Sequence, residues 1–95
     1  MNVYIVTYDI CDAKRLRQVF QYLRRWGDHL QYSVFRCELS RRDLAQLGAG
    51  LHDIVHHGED QILVFDLGPH DGRARKAVDA IGLPYTHPER HAFIF

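Results

Sequence analysis

Val3 to Asp12 reads VYIVTYDICD, and no other stretch limits the fold so tightly. Val3, Ile5 and Thr7 alternate with Tyr4, Val6 and Tyr8, so an extended segment here is largely apolar on both faces. A strand built from β-branched and aromatic residues on both sides belongs in the middle of a sheet. The same alternation puts Asp9, the first charge in the chain, on the face of Val3, Ile5 and Thr7. A carboxylate buried there must be paired, neutralised or metal-bound, because desolvating a lone charge is costly. Asp9 therefore has two readings: an ordinary strand-end and turn residue, or a functional carboxylate at the end of the sheet.

The elements that follow are consistent with one small two-layer domain spanning residues 1–95, with a core in 1–67 and a short helix, connector and strand in 68–95. Asp12 is placed as the N-cap of a helix over Ala13 to Arg25, whose apolar stripe is Leu16, Val19, Phe20 and Leu23 and whose C′ residue is Gly27. Leu30 to Leu39 alternates as a strand, and Ser40 with Asp43 forms the capping box of a second helix striped by Leu44, Leu47, Leu51, Ile54 and Val55. Gly48 and Gly50 weaken that helix by about 1 kcal/mol each, which predicts a close approach or a bend there. Asp60 to Leu67 is a third strand ended by Gly68-Pro69, and Asp71 to Ile81 a short helix closed by Gly82. The order points to an α+β, ferredoxin-like βαββαβ sandwich. That topology needs two strands between the helices, and Leu30 to Leu39 contains no Gly, Pro or Asn turn. Either a tight hairpin bends near Phe35–Arg36, or one long strand runs there in a different sheet order.

A chain of this length buries roughly 60–65% of its extended surface, so self-association is a natural source of further stability. The formal charge is zero, which argues against a non-specific nucleic-acid coat protein. Eight Lys/Arg oppose four Asp/Glu up to Arg42, however, and the balance reverses after it, so the first half can supply a basic face. No apolar run reaches membrane-spanning length and no signal or transit peptide is read before the first strand. The expectation is a cytoplasmic protein with Cys11 and Cys37 reduced and no membrane contact. His52, His56 and His57 cluster at the end of the second helix, where they suit its dipole better than a zinc site that lacks further ligands.

Tyr8-Asp9-Ile10, followed by Asp12, Lys14, Arg15, Leu16 and Val19, resembles the amino-terminal motif of the small CRISPR-associated endonuclease family, the partner of the CRISPR integrase in spacer acquisition. Gly27, Gln31, Ser33, Val34 and Phe35 are similar to that family's second motif, G-x-x-x-Q-x-S-V-F; Cys37 and Leu39 continue it, and Asp60 before a strand resembles a third region. The resemblance covers the chain to about Leu67. It implies a ferredoxin-like homodimer in which Asp9 is the catalytic, metal-binding aspartate and both copies approach the twofold axis. Ser33 and Phe35 take the places of the motif's serine and phenylalanine. The family's activity is described as metal-dependent cleavage of RNA or DNA, and its assembly role as a dimeric bridge between integrase dimers.

Physical chemistry allows this but adds little to it. Mg²⁺ keeps several waters, so two carboxylates across an axis and a phosphate oxygen suffice to hold it. Tyr8, Asp12, Ser33 and Phe35 are candidate supporting residues. Asp12 also serves as a helix cap, Ser33 as a small packed residue or a phosphate donor, and Tyr8 and Phe35 as core, dimer-contact or stacking residues. Arg15, Arg17, Arg24, Arg25 and Arg36 are candidate contacts to nucleic acid, set against ordinary solvated surface. The live functions are an Mg²⁺-dependent endonuclease, a non-catalytic adaptor that bridges integrase dimers on DNA, and a small ferredoxin-like RNA-binding regulator, against which the strands lack an RRM-type aromatic signature. The apolar end, with Phe93, Ile94 and Phe95, is expected to pair as a strand with the partner subunit's sheet.

Overall fold

A computed structural model describes residues 1–85. The expected tail contacts of Phe93, Ile94 and Phe95 lie outside the described residues. The elements run β1 (Asn2–Asp9), α1 (Ala13–Arg24), β2 (Asp28–Gln31), β3 (Val34–Leu39), α2 (Arg41–Ile54) and β4 (Gln61–Pro69), followed by a 3₁₀ turn at Arg73–Lys76. The strands form one antiparallel sheet in the order β2-β3-β1-β4. This is the ferredoxin-like βαββαβ arrangement, with β1 in the interior as its two apolar faces require.

The helix-side core is supplied by Tyr4, Val6 and Tyr8 of β1, Phe35, Cys37 and Leu39 of β3, Val19 and Leu23 of α1, and Leu47 and Leu51 of α2. Each large apolar side chain removed from water there contributes about 1.5–3 kcal/mol. Both predicted caps form: Asp12 accepts from the Arg15 backbone N–H, and Ser40 Oγ from the Asp43 N–H. Gly50 fulfils the close-approach expectation, since a Cβ there would collide with the Tyr22 hydroxyl of α1, whereas at Gly48 nothing described lies within 4 Å. Gly27 has a reason other than a left-handed cap. A Cβ at Gly27 would run into the Arg36 carbonyl oxygen and Cys37 Sγ of β3, and the described positive-φ glycines are Gly68 and Gly82.

Two local expectations are corrected. The hairpin turns at Tyr32–Ser33, before Phe35–Arg36, and β2 begins at Asp28. The turn is held from outside rather than by turn residues: the Tyr8 N–H donates to Ser33 O at 3.2 Å, and the Tyr8 hydroxyl to Tyr32 O at 3.4 Å. The helix expected over Asp71 to Ile81 is reduced to the single turn Arg73–Lys76, with Ala74 buried and Ile81 fully exposed. So short a stripe cannot repay helix nucleation without a surface to bury itself against.

Candidate active site

β1 ends at one rim of the sheet, and its last residue, Asp9, pairs with Gln61 at the start of β4. Asp9 is exposed, and none of the described hydrogen bonds or ion pairs engages its carboxylate. A shallow hollow around it is lined by Thr7, Tyr8, Ser33, Val34, Gln61 and Leu63. The structure thus brings Tyr8 and Ser33 beside Asp9. Gln61 is a residue that sequence reasoning missed, visible only as the neighbour of Asp60.

Asp12 and Phe35 stand apart from this hollow. Asp12 is spent on capping α1, its side chain accepting from Arg15 N at 2.9 Å. Phe35 has no exposed surface and lies under Tyr8, with ring centres 6.2 Å apart, and against Phe20 and His29. Its contribution is the floor on which Tyr8 rests. Burial pushes the Tyr8 hydroxyl above its ordinary pKa, so it stays protonated and able to donate to Tyr32 O.

The loop after Asp9 is fixed by a clamp that the sequence reading marked only as a matching aspartate. Asp60 has no exposed side-chain surface, and its carboxylate accepts from Arg15 Nε at 2.7 Å, the Cys11 N–H at 2.9 Å and the His56 N–H at 2.8 Å. Arg15 also bonds Glu59 at 3.1 Å. The Arg15 hydrogen bond is the main force holding the Asp60 carboxyl well below the usual carboxylate range. The Cys11 and His56 amides reinforce it against the opposing effect of burial. The same contact raises Arg15 above its already high value. Near this clamp, His56 Nδ1 accepts from the Gly58 N–H, while the His52 and His57 rings stack 5.5 Å apart.

The five arginines part company. Arg17 and Arg24 of α1 and Arg25 at its C-cap are exposed, with Arg24 set over the Phe20 ring at 5.6 Å and Arg25 over Tyr22 at 6.0 Å. Arg15 is engaged in the Asp60 clamp. Arg36 is corrected outright as a surface contact: it is 3% exposed and bonds Glu38 at 3.2 Å on the outer side of the sheet.

The outer sheet face runs up to Asp9. Ile5 sits between Arg36 and Phe65, and Thr7 between Val34 and Leu63, so an apolar stripe leads up to Asp9. Leu63 and Phe65 remain nearly half exposed. Among the described residues no group of three or more His, Cys, Asp or Glu is placed to hold a metal ion. Asp9 offers one carboxylate in a hollow that Ser33 and Gln61 also line, so a hydrated divalent cation there would need a second carboxylate or a phosphate to complete its shell.

Comparison with known proteins agrees with this architecture. The model of the family described as CRISPR associated protein Cas2 matches residues 1–75. The CRISPR-associated endoribonuclease Cas2 of Geobacter sulfurreducens is 38% identical over 93 residues, 98% of this chain and 97% of that protein. A Rhodospirillum rubrum protein named CRISPR-associated endoribonuclease Cas2 1 is 36% identical over 93 residues, covering 98% of this chain and 90% of its own. The crystal structure of Streptococcus pyogenes Cas2 superposes with a TM-score of 0.72 at 25% identity, covering 84% of this chain and 99% of the other. With a family model across most of its length and relatives of this similarity, the chain belongs to the Cas2 family of CRISPR-associated proteins.

Proposed function

We propose that the protein is a metal-dependent endonuclease that cuts RNA or DNA phosphodiesters. In this reading it acts as a cytoplasmic homodimer in CRISPR spacer acquisition, together with the CRISPR integrase. The observation that carries the reading is Asp9, an exposed carboxylate without a hydrogen-bond or ion-pair partner among the described residues, at the end of an otherwise apolar interior strand. The names of the relatives, which are endoribonucleases, support the reaction class. The apolar stripe beside Asp9 supports a dimer in which two sheets meet and two Asp9 carboxylates face one phosphodiester.

Asp9 would hold Mg²⁺, which when bound neutralises phosphate charge and lowers the pKa of a coordinated water. Ser33 Oγ would donate a hydrogen bond to a phosphate oxygen, and Gln61, paired with Asp9 from β4, would orient the strand. Arg17, Arg24 and Arg25 supply phosphate contacts without sequence preference. The experiment is cleavage of labelled single-stranded RNA and duplex DNA with Mg²⁺ or with chelator. The wild type cuts only with metal, and Asp9→Asn, still folded and dimeric, does not cut. Undiminished cleavage by Asp9→Asn would remove Asp9 from the reaction.

One observation favours a second reading, the non-catalytic adaptor. Among the described residues, those lining the hollow around Asp9 include no Lys, no His and no second carboxylate, so they supply no proton shuttle. In that reading the same dimer and the same arginines hold duplex DNA between integrase dimers. Metal-independent DNA binding without cleavage by the wild type would select it. Family membership displaces the third reading, an unrelated RNA-binding regulator.

A further inference from the structure

A second concavity adjoins the hollow of Asp9. It lies between the first half of α1 and the β2–β3 hairpin, has a volume of about 430 Å³, and is lined by Tyr8, Leu16, Arg17, Phe20, His29 and Tyr32 together with Ala13. Its floor is a ring cluster: Phe20 meets His29 edge-on at 5.0 Å and Phe35 at 5.6 Å, and His29 lies 4.9 Å from Phe35. At its lip Tyr32 is 87% exposed, although its backbone is anchored: Tyr32 O accepts from the Tyr8 hydroxyl at 3.4 Å and from His29 Nε2 at 3.2 Å. A fixed main chain carrying a solvent-exposed aromatic ring is a platform ready to stack without ordering a loop first.

The charge of the groove says what it suits. Among the described residues its lining contains no carboxylate and its Arg17 has no ion pair, and Arg24 stands over Phe20. Aromatic rings beside a guanidinium group that has no ion pair among the described residues match a planar base joined to a phosphate. A base paired within a duplex has both faces covered by its neighbours and cannot enter. The groove and the hollow share Tyr8, and Tyr32 of the one is next to Ser33 of the other. We infer that this groove is a nucleobase subsite that takes one unpaired nucleotide beside the phosphodiester held at Asp9, its base stacked on Tyr32 and its phosphate on Arg17. The inference rests on the endonuclease reading for what lies at Asp9, but the subsite is a matter of binding alone.

The test is therefore made without cleavage, on the full dimeric protein in the Asp9→Asn background with chelator present. Fluorescein-labelled oligouridylate, oligothymidylate and a blunt duplex of the same length are titrated by anisotropy. Tyr32→Ala should weaken both single strands about 5- to 150-fold, the range of about 1–3 kcal/mol for one lost base stack, and leave the duplex within twofold. Tyr32→Trp should restore single-strand binding. Arg17→Ala should weaken single strands and lower their salt slope. Parallel loss for single strands and duplex would make the feature a general phosphate surface and overturn the subsite. So would unchanged binding by Tyr32→Ala, which would leave the groove to a protein partner. Because Asp9 is already neutralised, these outcomes do not depend on whether the wild type cleaves.

Discussion

Asp60 illustrates how much of the candidate site depends on a residue that does not reach it. Its buried carboxylate ties Cys11 of the loop after Asp9 to Arg15 of α1 and His56 after α2, so the end of β1 is held from three sides. Its folded pKa is depressed, so the stabilisation is fully present above the unfolded value near 4 and is lost as pH falls toward the lower folded value. Urea midpoints of the wild type and Asp60→Asn should differ by a constant amount from about pH 5 to pH 8, and the gap should narrow below about pH 4. A gap unchanged to the lowest pH at which both fold would contradict the clamp. The arginines divide in the same way. Arg17→Ala, Arg24→Ala and Arg25→Ala should each reduce the salt slope of nucleic-acid binding by roughly one unit. Arg15→Ala and Arg36→Ala should lower unfolding midpoints instead, since their guanidinium groups are engaged within the fold. This division was not legible in the sequence. All five arginines look alike until Asp60, 45 positions from Arg15, and the packing around Arg36 are placed.

At the scale of elements, the parts that could be read locally were the ones with local causes. The alternation of β1 requires an interior strand, and Asp12 and Ser40 start the helices because their side chains bond amides three residues on. The hairpin could not be read this way. Leu30, Tyr32 and Val34 keep the alternation of a continuous strand, while the turn between Gln31 and Val34 is imposed by Tyr8 of another strand. The glycines show the same contrast, and substitution separates their causes. Gly48→Ala faces open space and should stabilise α2 by up to about 1 kcal/mol. Gly50→Ala has the same propensity gain but must push Tyr22 off its bond to Gln46 O, so it should come out less stable than Gly48→Ala. Gly27→Ala meets backbone of β3, which cannot swing aside, and should be the most damaging of the three. Thermal unfolding of the three variants checks the ranking.

For the whole molecule, the described helices lie on one side of the sheet and leave part of the other side exposed. The helices cover the inner face except along β4, where Val64 is 47% exposed, and the outer face presents Ile5, Thr7, Leu63 and Phe65 in a stripe that ends at Asp9. If two such stripes meet, replacing Leu63 or Phe65 by a charged residue should shift the species seen by analytical ultracentrifugation toward monomer while each monomer stays folded. A variant that stays dimeric at low micromolar concentration would show that the subunits meet elsewhere. In the proposed dimer a second Asp9 would complete the site, an expectation that comes from the family resemblance. The most direct test of the shared site is a subunit-mixing experiment. Wild-type and Asp9→Asn chains are mixed in equal amounts, allowed to exchange, and assayed for Mg²⁺-dependent cleavage. A site that needs both Asp9 carboxylates predicts about a quarter of the wild-type activity, because only dimers with two intact chains cut. About half would mean that each subunit cuts by itself, and would contradict the two-carboxylate site.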